Sequence, residues 1–286
     1  MKLVVTGSSG FIGNHLLDSL DGSIPFDLSH ENAIDNSDIT ISDDIMNASK
    51  NCDGIIHLAA ISRVSDCEDN PKKCIDVNIN GTLNVLQAAI KNNINWVGIV
   101  TTGEVQWIEN DKIQSFNRIN NVYGVSKLAS ELLVDVIGSK AGLKSTIFRI
   151  SSVVFGEGDN PKKVFSLFVS KSINGDDISI NDTSSEWDFI YVDDVVNHIK
   201  KSAYEKNESK KFVEESNIFS GIRLDLLSLA MIIKYLADSS SKINYQEHLI
   251  EKVTKDDFNK IVTKRKISHK FLTQVKKVIA HNLLAV

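Results

Sequence analysis

The stretch Lys2-Leu3-Val4-Val5-Thr6-Gly7-Ser8-Ser9-Gly10-Phe11-Ile12-Gly13 runs from a short valine-rich segment through three glycines into the helical pattern Asn14 to Leu20. A brief apolar run that stops at glycines predicts a buried parallel strand turning directly into a helix. In such a turn Gly7 lets the chain reverse sharply, Gly10 leaves room for a pyrophosphate, and Gly13 lets the helix pack closely on the strand. The free N–H groups and positive dipole end of the helix then face the phosphates. The spacing is G-x-x-G-x-x-G rather than the G-x-G-x-x-G dinucleotide fingerprint, and a plain tight turn is the alternative. With a strand before it and a helix after it, the expectation is a dinucleotide site in an α/β fold.

The chain has 286 residues, enough for one large α/β domain or a domain and a half around a substantial core. Its 42% hydrophobic and 24% charged residues are those of a soluble globular protein. A net charge of −5 argues against nucleic acid as a partner, and Lys252 to Lys277 reads as a solvated face. Cys52, Cys67 and Cys74 are odd in number and lack metal-ligand spacing, so reduced cytosolic thiols and no metal are expected. No charged leader precedes a long apolar run, and no run approaches ~18 consecutive apolar residues. A cytoplasmic protein without a membrane segment is expected.

After the first helix, Gly22 to Asp27 predicts a second strand ending in an acid. A carboxylate there accepts hydrogen bonds from an adenosine ribose and repels a 2′-phosphate, which favours NAD over NADP; a turn-forming aspartate is the alternative. Ser37 to Thr40 is expected to end a third strand, and Gly54 to Ala60 to form a central one closing in small residues that admit a flat ligand. His57 within it reads as a packed core histidine. Trp96 to Val100 predicts a strand that delivers Thr101-Thr102-Gly103-Glu104 to its C-terminal edge, where open parallel sheets bind ligands. Glu109 to Asn121 is expected to be a loop.

Tyr123 and Lys127 stand four apart in Tyr123-Gly124-Val125-Ser126-Lys127, and so share one helix face. An ammonium beside a phenol lowers the phenol pKa from about 10, which suits Tyr123 to general-base chemistry near neutral pH. Further on, the expectations are a strand Leu143 to Ile150, helices Val164 to Ile173, Val195 to Ala203 and Leu226 to Leu236, a strand Lys242 to Tyr245 and a helix Phe271 to Leu284. Asp193 or Asp194 is expected to cap its helix.

The ordered set Thr6-Gly-Ser-Ser-Gly-Phe-Ile-Gly13, His57-Leu-Ala-Ala60, Asn78-x-x-Gly-Thr82, Tyr123-x-x-x-Lys127, Arg149-Ile-Ser-Ser-Val-Val-Phe-Gly156 and Phe189-Ile-Tyr-Val-Asp-Asp194 resembles the extended short-chain dehydrogenases/reductases. More narrowly it resembles the NAD-dependent epimerase/dehydratase family acting on nucleotide-activated sugars. The resemblance spans about two thirds of the chain. It implies a Rossmann-type doubly wound parallel sheet with a smaller C-terminal substrate-binding region. An NAD-binding domain would cover residues 1–155 and a mostly substrate-binding region 156–286, with segments around 156–200 interleaving with the Rossmann core.

By the same resemblance, Gly7, Gly10 and Gly13 hold the pyrophosphate with Phe11 and Ile12 in the same turn. Asp27 takes the adenosine ribose, Asp38 and Ile39 form the adenine pocket, and Leu58, Ala59 and Ala60 border the cofactor. Tyr123 is the acid/base, Lys127 binds the nicotinamide ribose, and Thr102 bonds the reacting sugar hydroxyl. Glu104 matches an acidic position of dehydrating members. A homodimer through Thr82 to Ile90 and Tyr123 to Ile137 is also implied, although Leu132 and Val136 there read equally as core.

Three departures stand out. Gly103 occupies a position where dehydratases often carry an acid, and Gln106-Trp107 replaces a Tyr-Gly pair. Trp187 precedes Asp188-Phe189 where many members place an arginine on the nucleotide-sugar phosphates, and an indole supplies neither that charge nor its fork of donors. Arg149 and Arg265 are the candidate cations to substitute. The leading expectation is an NAD-dependent epimerase passing through a 4-keto sugar. A 4-keto sugar reductase comes next, then a dehydratase using Glu104, and from another class a catalytically silent NAD-binding sensor.

Overall fold

A computed structural model describes residues 1–28, 37–105, 107–109, 112–114, 119–150, 153–181, 185–205 and 212–284. The chain divides into two compact units, one formed by Met1–Ile150 with Asp194–Ile218, the other by Ser151–Asp193 with Phe219–Val286. No helix among the described residues is long and apolar enough to cross a membrane.

The first unit is built on six parallel strands: β1 (Leu3–Thr6), β2 (Ile24–Phe26), β3 (Gly54–His57), β4 (Trp96–Thr102), β5 (Ser145–Ile150) and β6 (Val213–Ile218). Their order is β6-β5-β4-β3-β1-β2, and every neighbouring pair is parallel. The doubly wound α/β fold read from the opening stretch is therefore present. β1, β3 and β5 are buried along their whole length, because a parallel sheet covered on both faces has no solvent side. β2 and β3 lie on opposite sides of β1, so the order reverses between β1 and β3. That reversal opens a crevice at the C-terminal edge of the sheet.

Helix α1 (Phe11–Ser19) follows the glycine turn, α2 (Gly81–Lys91) precedes β4, and α3 (Val122–Leu133) precedes β5. The core sets Val4, Phe26, Ile55, Val97 and Ile147 of the sheet against Val85, Leu86 and Ala89 of α2. At roughly 25 cal/mol per Å² of apolar surface removed from water, each large side chain of this set stabilises the fold by about 1.5–3 kcal/mol.

Among the described residues, two three-stranded sheets and four helices make up the second unit. In one sheet Glu186–Tyr191 lies between Val153–Phe155, parallel, and Arg223–Asp225, antiparallel. In the other, Ile243–Tyr245 pairs with Ile178–Ile180, parallel, and His248–Ile250, antiparallel. Helices Val164–Asn174, Leu226–Leu236, Lys255–Lys264 and His269–Leu284 complete it. Its core is aromatic, with Phe155 stacked on Phe165 at 4.2 Å and edge-on to Phe271 at 5.4 Å.

Several local expectations are corrected. Ser37 to Thr40 is loop and turn rather than strand, and residues 29–36 before it lie outside the described residues. Within Glu109 to Asn121, expected as loop, Lys112–Gln114 pairs antiparallel with Trp107–Glu109 as a hairpin. The helix expected from Val195 begins at Val192, so Asp193 and Asp194 sit in its first turn rather than at the cap, where they complement the helix dipole. Cys67 and Cys74 are joined in a disulfide, and Cys52 alone is a free, buried thiol. The chain reverses at Asn70 between the helices Val64–Asp69 and Pro71–Ile75, bringing the two Cα atoms to 5.1 Å, within disulfide range.

Candidate active site

The glycine turn is held by backbone at both ends. Gly7 N–H donates to Phe26 O at 3.0 Å, Gly10 N–H to Gly7 O at 3.1 Å, and Asn14 N–H to Gly10 O at 2.9 Å. Gly7 has φ +71°, and a Cβ there would stand 2.6 Å from Ala59 N. A Cβ on Gly13 would lie 2.2 Å from Gly7 O, so α1 presses directly on the turn. Either substitution would force the turn apart. Gly10 differs: it is exposed, and a Cβ would meet only Gly7 O, at 3.1 Å. Phe11 and Ile12 are half-buried at the start of α1, and Phe11 packs edge-on to His15.

This turn fits a dinucleotide pyrophosphate. It presents an open α1 N-terminus without an acid in the first turn or a side-chain cap. The Ser8 hydroxyl is fully buried and bonds to no described residue. Asp27 Oδ2 accepts a 3.4 Å hydrogen bond from Ser9 N–H, which sets that carboxylate against the turn. Asp38 is half-buried and accepts from Thr40 N–H and Oγ1 at 2.9 and 2.7 Å; Ile39 is buried against Gly81. Leu58, Ala59 and Ala60 leave β3 beside the turn, half-buried, with Ala59 N–H donating to Thr6 Oγ1 at 3.2 Å.

His57 is a core histidine, as expected. Its Nδ1 lies 2.7 Å from Thr6 Oγ1 and its Nε2 3.2 Å from Thr82 Oγ1, so it links β1, β3 and α2. Burial, with a smaller contribution from the Lys127 charge, pushes it down to about 3, and it is neutral at neutral pH.

Thr102 closes β4 and is buried. Tyr123 stands half-buried in the first turn of α3, whose start is fixed by Asn121, with Oδ1 accepting from Gly124 N–H at 2.7 Å. Glu68 adds a second anchor by accepting from Val122 N–H at 2.7 Å. One turn on, the buried Lys127 donates through Nζ to Val100 O at 2.9 Å. The helix bearing Tyr123 is therefore bonded to the strand end bearing Thr102. Burial pulls the Lys127 ammonium down to about 8, and Glu131 opposes that shift. Glu104 lies in the 3₁₀ turn Gly103–Val105; its side chain and Gln106 lie outside the described residues.

The model of the family described as NAD dependent epimerase/dehydratase matches residues 3–218. The chain belongs to that family. This enzyme is 30% identical to a putative UDP-glucose 4-epimerase of Methanocaldococcus jannaschii, over 82% of its own length and 81% of the relative's. Its fold matches that of the Thermotoga maritima UDP-glucose 4-epimerase solved with UDP-glucose: TM-score 0.79, 22% identity, covering 100% of this chain and 99% of that one. The Thermus thermophilus UDP-glucose 4-epimerase, solved with NAD, gives a TM-score of 0.77 at 21% identity, with both chains fully covered.

In this epimerase/dehydratase-type enzyme neither arginine considered for a phosphate clamp is uncommitted. Arg149 is buried between Glu131 and Glu215, and Arg265 pairs with Glu186 and Asp225. Trp187 is half-buried against the second unit's core. Sequence reasoning missed Thr6, whose hydroxyl carries both His57 and Ala59 N–H, and Asn121. For Asn121 a signal existed: an asparagine immediately before an apolar helical pattern is an N-cap.

Proposed function

We propose that this enzyme is an NAD-dependent nucleotide-sugar epimerase acting through a transient 4-keto sugar. The observation that carries the reading is the Lys127–Val100 bond, which sets an ammonium beside the Thr102 strand end on the same helix face as Tyr123. Bound NAD supplies reversible hydride acceptance from the sugar carbinol carbon. Tyr123 takes the proton of the sugar hydroxyl and later returns it, Thr102 orients that oxygen, and Lys127 holds the nicotinamide ribose while stabilising the phenolate. Gly7, Gly10, Phe11, Ile12 and Gly13 receive the pyrophosphate, Asp27 the adenosine ribose, and Asp38 and Ile39 the adenine, with Leu58, Ala59 and Ala60 along the ring system. The Asp27 carboxylate beside the turn supports NAD over NADP. In this reading the first unit binds the cofactor and the second contributes to sugar binding.

Incubating the purified protein with UDP-glucose and following the sugar resonances by NMR tests the proposal. Tyr123→Phe is expected to lower turnover by at least about a hundredfold with NAD affinity nearly unchanged, and an unchanged rate refutes the mechanism. Sustained NADH consumption with a 4-keto nucleotide sugar would assign a reductase instead. NAD binding without any turnover would assign a sensor.

A homodimer belongs to the same proposal. Val125, Leu132 and Val136 are exposed by 53%, 48% and 50%, and recur along one face of α3 and its continuation. A monomer by light scattering at low micromolar concentration would refute it.

A further inference from the structure

Three charged side chains of the first unit, Glu131, Arg149 and Glu215, are joined by hydrogen bonds, and Lys127 feels the charge of Glu131. Lys127 and Glu131 stand one turn apart on α3, both buried, and Arg149 on β5 is buried beside Glu131. Arg149 Nε donates to both Glu131 carboxylate oxygens at 3.0 Å and Nη2 to Glu131 Oε2 at 2.6 Å. Its Nη1 and Nη2 reach the two oxygens of Glu215, on β6, at 2.7 and 2.9 Å. Glu131 Oε1 also accepts from Thr101 Oγ1 at 2.6 Å. Consecutive residues of β4 are thus tied to α3 by different charges, Val100 through Lys127 and Thr101 through Glu131. Thr102 follows directly.

Stability alone does not account for this arrangement, because buried ion pairs are often matched or bettered by apolar side chains of similar volume. We propose that Glu131 is a positioning residue for the Tyr123–Lys127 pair: its carboxylate balances the buried ammonium one turn away and fixes the strand end that carries Thr102. The assignment rests on the reading of Tyr123 and Lys127 given above. Arg149 holds Glu131 in place through a bidentate contact, a geometry that a lysine would not reproduce.

The charge balance sets the expected behaviour. Among the described residues, Lys127 shares its helix with Tyr123 and with Glu131, which acts on it directly; the neutral His57 on β3 feels its charge, and the Arg149–Glu215 pair of β5 and β6 reaches it through Glu131. Two cations face two anions, so the group is neutral as a whole. Burial already draws the ammonium towards its neutral form, and Glu131 acts against that. Loss of the Glu131 charge removes the one anion that favours the buried ammonium, and burial then draws Lys127 further towards its neutral form.

The test follows the carbon-13 resonance of the Lys127 ε-methylene through a pH titration of the full-length protein saturated with NAD. Its signal is assigned by its disappearance in Lys127→Met. Glu131→Gln is expected to make Lys127 about tenfold more acidic, Glu131→Asp to retain the wild-type midpoint, and Glu215→Gln to shift it in the same direction by less. An unchanged midpoint in folded Glu131→Gln overturns the proposal, as does Asp behaving like Gln. Should Glu131→Gln fail to fold, Glu215→Gln decides, because Glu215 is half-exposed and its loss leaves the core intact. A shift there supports the proposal and an unmoved midpoint overturns it. The alkaline limb of kcat/KM is expected to move with the resonance. Displaced resonances without turnover of any nucleotide sugar would leave the role of Glu131 standing and remove the proposed reaction.

Discussion

His57 is caged by two threonine hydroxyls, with no carboxylate among the described residues bonded to it, and its imidazole is held near 3 against an ordinary 6.5. Between those values the unfolded chain binds a proton that the native state refuses. The contribution is therefore fully present above about pH 6.5 and is lost progressively as pH falls toward 3. Its full size is at most about 5 kcal/mol. His57→Gln is expected to flatten the dependence of unfolding free energy on pH across that window, measured by urea denaturation. Wild type and variant losing stability in parallel would contradict it. The residue's core role was legible because it sits inside an apolar strand. The positions of the glycine turn, of Asp27 after β2, of Thr102 at the end of β4 and of Lys127 on α3 were legible too, because strand ends and helix spacing fix where such groups emerge. The commitment of Arg149 was not, since it depends on the register of β5 against β4 and β6, which no local pattern encodes.

The helix that carries Tyr123 depends on its first turn. Asn121 satisfies one of the orphan N–H groups there, and Tyr123 is only two residues further on. Asn121→Ala is expected to cost about 1 kcal/mol of stability and to reduce turnover several-fold through fraying around Tyr123, with Asn121→Asp restoring both. Thermal unfolding and steady-state kinetics check this, and an alanine variant with full activity would show that the cap does not position the tyrosine. Among elements, the apolar strands and the helix Leu226–Leu236 were readable from period and punctuation. The antiparallel pair Trp107–Glu109 with Lys112–Gln114 was not, because Glu109 and Lys112 are polar and read as loop. Nor was the disulfide, which needs the reversal at Asn70 to bring two helices' cysteines together.

On the scale of the whole molecule, the exposed row Val125, Leu132 and Val136 either meets a partner or is an unusual apolar stripe in water. Leu132→Glu combined with Val136→Glu is expected to convert a dimer to a monomer in light scattering while leaving the monomer folded by circular dichroism. An unaltered dimer mass would place the interface elsewhere. No linker in the composition marks where the two units divide, and the first unit takes back Asp194–Ile218 after the chain has entered the second. Nothing local announces that Val213–Ile218 pairs with β5, because the pairing is wholly non-local.

That late return has a consequence during synthesis. When β5 leaves the ribosome its outer edge has no neighbour, and the strand that covers it is separated from it by residues 151–212. At about 5–20 residues per second, the bare edge waits for roughly 3–12 seconds. A nascent chain with an apolar, unpaired β-edge is a template for other chains. Chaperone dependence and truncation sensitivity should therefore centre on this interval, and a stop codon placed before Val213 should yield insoluble product although the glycine turn and the Tyr123–Lys127 helix have both been made.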